Sequence, residues 1–138
     1  MGAWGYDIFD DDTAYDFTYE ISTDARIFFT SSFKNAINAD YLEFDEAHAV
    51  TVSAAYMDNL LNHTLYRNDA QDEGDESNVN IFYQIHPDLE VEDLKPLAVQ
   101  ALNKVISPNC HLYELWEESE ESFSLWKQTI QDLINRLS

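Results

Sequence analysis

Asp45-Glu-Ala-His-Ala-Val-Thr-Val-Ser-Ala-Ala-Tyr-Met-Asp-Asn-Leu-Leu61 is the stretch whose periodicity decides the fold. Ala47, Val50, Ala54, Met57 and Leu61 step by three and four, which sets them on one seam of an α-helix. Ala49, Val52, Tyr56 and Leu60 widen that seam until little polar face is left. The segment is therefore expected to be the central, most buried helix of a bundle. Asp45 and Glu46 open it, with negative charge at the positive end of the helix dipole.

The same period recurs on both sides. Ala14, Phe17 and Ile21 predict a helix over residues 11–21, entered through Asp10, Asp11 and Asp12 as capping and dipole-complementing residues. Ser22-Thr23-Asp24 is a second start signal, for a helix over 24–38 carrying Phe28, Phe29, Phe33, Ala36 and Ile37. Leu94, Leu97, Ala98, Ala101, Leu102 and Val105 predict a helix over 91–106, where Pro96 is tolerated in the first turn and Ser107-Pro108 stops the run. Leu112, Leu115 and Trp116 mark a short helix. Phe123, Trp126, Ile130, Leu133, Ile134 and Leu137 mark a last long one. Val79–Ile85 carries both a strand-like alternation and a helical spacing. A lone strand would find no partner elsewhere in the chain, so a short helix is expected there. The fold class is thus all-α: a compact helical bundle of about five to seven helices in one domain over residues 1–138.

Charge narrows the function classes. The chain has 27 Asp and Glu against 7 Lys and Arg, a net charge of −20 on 138 residues. That is well beyond the roughly 2–8 charges that solubility asks of a small domain. Such a surface repels nucleic acid and anionic lipid, so neither is an expected partner. It attracts a basic protein and accelerates the encounter. The N-terminus lacks the pattern of a signal peptide, and no apolar run approaches a membrane span, so a cytoplasmic location is expected. A single cysteine, Cys110, excludes an internal disulfide and a multi-cysteine zinc site.

Taken together, these residues resemble an uncharacterised family of small bacterial proteins. Its members open with M-G-x-W-G-x-x-x-F-D-x-D-x-A-x-D-[FW]. This chain reads Met1-Gly-Ala-Trp-Gly-Tyr-Asp-Ile-Phe-Asp-Asp-Asp-Thr-Ala-Tyr-Asp-Phe17. The resemblance continues from Glu46-Ala47 to Leu61, and returns at Leu115-Trp116-Glu117-Glu118-Ser119, Trp126 and Asp132-Leu133. It implies a helical fold. The family is catalogued as a domain of unknown function, so the resemblance implies no catalytic residue.

The residues with chemistry to offer are mostly carboxylates. Asp7, Asp10, Asp11, Asp12 and Asp16 supply oxygen ligands, but lack the glycine and terminal glutamate of a calcium loop, and helix capping accounts for them. His48, His63, His86 and His111 show no metal-ligand spacing. Cys110 lies among acids that would raise its thiol pKa, opposite to what a nucleophile needs. Phosphate-binding and nucleophile-elbow motifs are absent. No catalytic residue, metal or cofactor is therefore expected.

Two acidic runs remain: Asp69, Asp72, Glu73, Asp75 and Glu76 in a polar loop, and Glu114, Glu117, Glu118, Glu120 and Glu121 near the last helix. Tyr66, Tyr113 and Trp116 lie beside them, and aromatic anchors ringed by charge are frequent in binding hot spots. The two runs, with Trp116, are the expected partner-binding residues. The function expected is that of an immunity protein, which occludes the active or substrate-binding surface of a basic cognate toxin such as a nuclease. A metal-dependent or hydrolytic enzyme built on the N-terminal aspartates, and a nucleic-acid mimic acting on a DNA-binding protein, are the alternatives.

Overall fold

The computed structural model describes residues 7–9, 12–67 and 74–138. Seven α-helices follow one another among them, with no strand: α1 Asp12–Thr23, α2 Ala25–Asn38, α3 Phe44–Asn62, α4 Phe82–Ile85, α5 Lys95–Val105, α6 His111–Glu117 and α7 Glu120–Leu137. The all-α bundle is the fold that the sequence periods require. None of the described helices is long and apolar enough to cross a membrane.

Helix α3 is the axis. It touches every other described α-helix, and all residues from Val50 to Asn59 are buried. A helix enclosed on all sides has no solvent face, so a buried carboxylate or carboxamide on it needs partners inside the protein, although the buried Ser53 hydroxyl has no hydrogen-bond partner among the described residues. Its start is fixed by Glu46, whose carboxylate accepts from the Glu43 N–H at 3.1 Å. Its end turns through His63, in the left-handed region at φ 59°, and the His63 ring stacks on Tyr83 at 4.1 Å.

The other elements pack onto this axis through large aromatics. Phe29 and Phe33 on α2 are fully buried. Phe29 meets Phe82 edge-on at 6.0 Å, and Phe82 meets Tyr56 at 5.1 Å. Asp24 caps α2, its Oδ1 accepting from the Ile27 N–H at 3.3 Å, as the start signal predicts. Asp10 and Asp11 lie outside the described residues. The ambiguous stretch is helical: a 3-10 turn over Val79–Ile81 runs into α4. The helix expected over 91–106 is split, since Glu92–Leu94 forms a 3-10 turn and α5 starts at Lys95 with Pro96 in its first turn. Proline cannot donate, so it is tolerated at that position and nowhere deeper. One parallel bridge joins Leu42 to Cys110, through Leu42 N–H to Asn109 O and His111 N–H to Leu42 O, each 2.9 Å.

Packing predicts a sharp contrast on α2. Truncating the enclosed Phe33 to alanine is expected to cost about 3–5 kcal/mol. The same change at Ile27, which is 64% exposed, is expected to cost less than about 0.5 kcal/mol. Urea unfolding of Phe33→Ala and Ile27→Ala measures both.

Candidate functional site

The two acidic runs have different fates. In the first, Asp69, Asp72 and Glu73 lie outside the described residues. Asp75 does local work: its Oδ1 accepts from the Ser77 N–H at 2.9 Å and from the Ser77 hydroxyl at 2.7 Å. Those bonds hold the Asp75 carboxyl below the usual carboxylate range and close a turn of the Asx type. Glu76 beside it is exposed.

The second run forms the corner between α6 and α7. Glu114 accepts from the Tyr41 hydroxyl at 2.9 Å. Partial desolvation and that charged acceptor push the phenol up to about 12. Trp116 is half-buried and stacks on Trp126 at 6.3 Å, while Tyr113 meets Phe123 edge-on at 5.1 Å. The aromatics the sequence offers as anchors thus also join α6 to α7. Lys127 lies over the same cluster, its Nζ 5.3 Å from the Phe123 ring and 6.0 Å from that of Tyr113. Glu117, Glu118, Glu120 and Glu121 are exposed at the corner.

Helix polarity separates these four. Glu120 and Glu121 stand in the first turn of α7, where the dipole favours them. Glu117 ends α6 and Glu118 caps it, and no basic residue stands in that last turn. Negative charge there opposes the α6 dipole, an effect that the start of α7, after Ser119, offsets in part for Glu118 but less for Glu117. No described cation forms an ion pair with either residue.

Sequence reading missed a buried network. The Asp58 carboxylate on α3 is 0% exposed. Its Oδ2 accepts from the Tyr66 hydroxyl at 2.5 Å and from Arg136 Nε at 2.7 Å, and its Oδ1 from Asn62 Nδ2 at 2.8 Å. Burial and the Asp58 charge push the Tyr66 phenol far up, so it stays a donor. Tyr66 is therefore committed inward, although its place beside the acidic loop reads as that of an anchor. Asn59 and Asn80 complete the arrangement. Asn80 Oδ1 accepts from the Tyr66 N–H at 2.7 Å, and Asn80 Nδ2 donates to Tyr66 O at 2.8 Å. Asn59 bonds Thr64 O at 2.9 Å and the Tyr83 N–H at 3.0 Å. With the Tyr56 hydroxyl bonded to Ser77 O, both ends of the loop are fastened to α3.

A groove of about 970 Å³ was also missed. Leu60, Leu61 and Leu89 contribute its apolar side, and Asp88, Glu90 and Glu92 its acidic wall. Arg26 ties that wall to α2. Its Nη1 and Nη2 reach Asp93 Oδ1 and Oδ2 at 2.9 and 2.6 Å, and Nη1 also reaches Glu90 O at 2.8 Å. This fork holds the Asp93 carboxyl below the usual range. Cys110 is buried, which with the Glu114 charge raises its thiol pKa, and burial is the larger cause. No group of three or more His, Cys, Asp and Glu among the described residues is placed to hold a metal ion.

The family described as Domain of unknown function (DUF4259) matches residues 2–129, and the chain belongs to that family. Neither a curated protein nor a solved structure matches it.

Asp58 is enclosed, whereas the Arg136 side chain that neutralises it is 36% exposed, so water screens the pair in part. Arg136→Met is therefore expected to cost about 1–3 kcal/mol, less than for a pair buried on both sides. Asp58→Leu combined with Arg136→Met is expected to cost less than Arg136→Met alone, because no buried carboxylate is then left without its cation. Urea unfolding of the two variants checks this, and a simply additive double variant would contradict it.

Proposed function

We propose that this member of the family is an acidic protein-binding module of the immunity type, which neutralises a basic toxin by covering its active or substrate-binding surface. A nuclease is the natural target, because a surface that grips phosphates also grips carboxylates. The proposal includes a cytoplasmic site of action in a bacterium, and neither nucleic acid nor membrane as ligand.

The observation that carries this reading is the position of Glu117 and Glu118. Both are exposed, both stand at the end of α6 that the helix dipole disfavours, and no described cation pairs with them. Charge that opposes its local structure, on a chain already at −20, is explained by a partner that supplies the missing cations. Asp24, Asp75 and Glu114, by contrast, each have a neighbour inside the protein that accounts for them.

The mechanism follows from the same groups. Long-range attraction brings the basic partner in, and short-range Arg–carboxylate pairs, which are bidentate and directional, fix its register. The chain would perform no chemistry. It would deny the toxin's own substrate access to the cationic surface.

The test starts from the genes that flank the gene of this chain, one of which is expected to encode a basic protein with toxic activity. Co-expression of the chain is expected to relieve that protein's toxicity. The association rate of the purified pair is expected to fall at least roughly tenfold as the Debye length shrinks from about 30 Å to about 8 Å. Glu117→Gln with Glu118→Gln is expected to slow association further at low salt. An association rate indifferent to salt would count against the proposal.

A further inference from the structure

We infer that the groove between the end of α3 and residues 87–93 is the contact surface for an arginine-bearing, partly aliphatic segment of that basic partner. The inference rests on the functional reading above and names the chemistry of one contact within it.

The wall has a regular pattern. Along Asp88-Leu-Glu-Val-Glu92, the three carboxylate residues are exposed, Leu89 is half-buried and Val91 is fully buried. The alternation turns apolar side chains towards the protein and leaves carboxylates at the rim. None of the three has an ion pair with a described cation. Leu60 and Leu61, at the end of α3, also line the groove and contribute aliphatic surface.

This combination selects arginine. A basic side chain entering the groove lays its methylene stem along the leucines while its charged head reaches the rim. Guanidinium is more weakly hydrated than ammonium, and its planar fork matches a carboxylate. The chain already shows the geometry with one of its own residues. Arg26 sits on this wall with its fork across Asp93 and one nitrogen on the Glu90 carbonyl, at 2.6 to 2.9 Å. Arg26, whose charge also feels that of Glu90, fixes the wall to α2, so the three exposed carboxylates need little ordering when a partner arrives.

A fluorescein-labelled peptide of alternating arginine and leucine, titrated with the full chain and read by fluorescence anisotropy, tests the inference. Two variants remove equal charge from exposed positions: Asp88→Asn/Glu90→Gln/Glu92→Gln in the groove, and Asp16→Asn/Glu20→Gln/Asp40→Asn away from both the groove and the α6–α7 corner. The groove variant is expected to weaken binding roughly tenfold, and the distant variant less than about twofold. Replacing arginine by lysine in the peptide is expected to weaken it severalfold. Equal losses in the two variants, or equal binding of the lysine peptide, would overturn the groove assignment and leave the acidic-module proposal standing. Failure of the arginine–leucine peptide to bind the wild-type chain would overturn the groove assignment as well. Failure of the genomic partner to bind at all would instead remove the functional reading beneath it.

Discussion

The enclosure of α3 is the constraint on which the other features depend. A helix that meets every other described α-helix cannot turn the residues of its enclosed stretch to water, yet Asp58 and Asn59 lie in that stretch. Each needs partners from elsewhere in the chain, and those partners set the architecture around it. Asp58 draws in Arg136 from the last turns of α7, 78 positions away, and Tyr66 from the entrance to the acidic loop. Asn59 holds Thr64 and Tyr83 on either side of the same loop. Two buried polar residues thereby anchor both the C-terminal helix and the neck of a charged segment. Hydrophobic contact alone would hold these elements in place without specifying their register.

The constraint also shapes the surface. Of 7 basic residues, Arg136 serves the interior, Arg26 the groove wall and Lys127 the aromatic faces of the α6–α7 corner. Few cations are left to face 27 acids. Self-repulsion among the exposed carboxylates opposes folding, and the continuous core running from Ile8 to Leu137 offsets it. Acidity at the rim and order in the core are thus linked.

Much of the fold was legible in the sequence because it rests on periodicity. The α3 seam, the stripes of α5 and α7, the Asp24 cap and the first-turn place of Pro96 are all local signals with local causes. The stretch 79–85 is helical because a lone strand has no partner, and the 3-10 turn followed by α4 agrees. The candidate site was less legible, because its parts meet only in three dimensions. Nothing near Asp58 announces Arg136, and the Asp-Asn pair before Leu60 reads as the polar margin of a helix. Tyr66 looked like a surface anchor because its sequence neighbours are acidic, whereas its hydroxyl turns inward. The carboxylate–aliphatic alternation from Asp88 to Glu92 was visible as a pattern, but it becomes a groove wall only beside Leu60 and Leu61.

At the centre of the account is the claim that the acids at the end of α6 are retained against the stability of the chain itself. Urea unfolding of wild type and of Glu117→Gln/Glu118→Gln, compared at low and high salt, tests it without any partner. The account predicts that the double variant is more stable at low salt, with the gain fading as the Debye length falls to about 3 Å near about 1 M salt. A variant no more stable than wild type at low salt would contradict it.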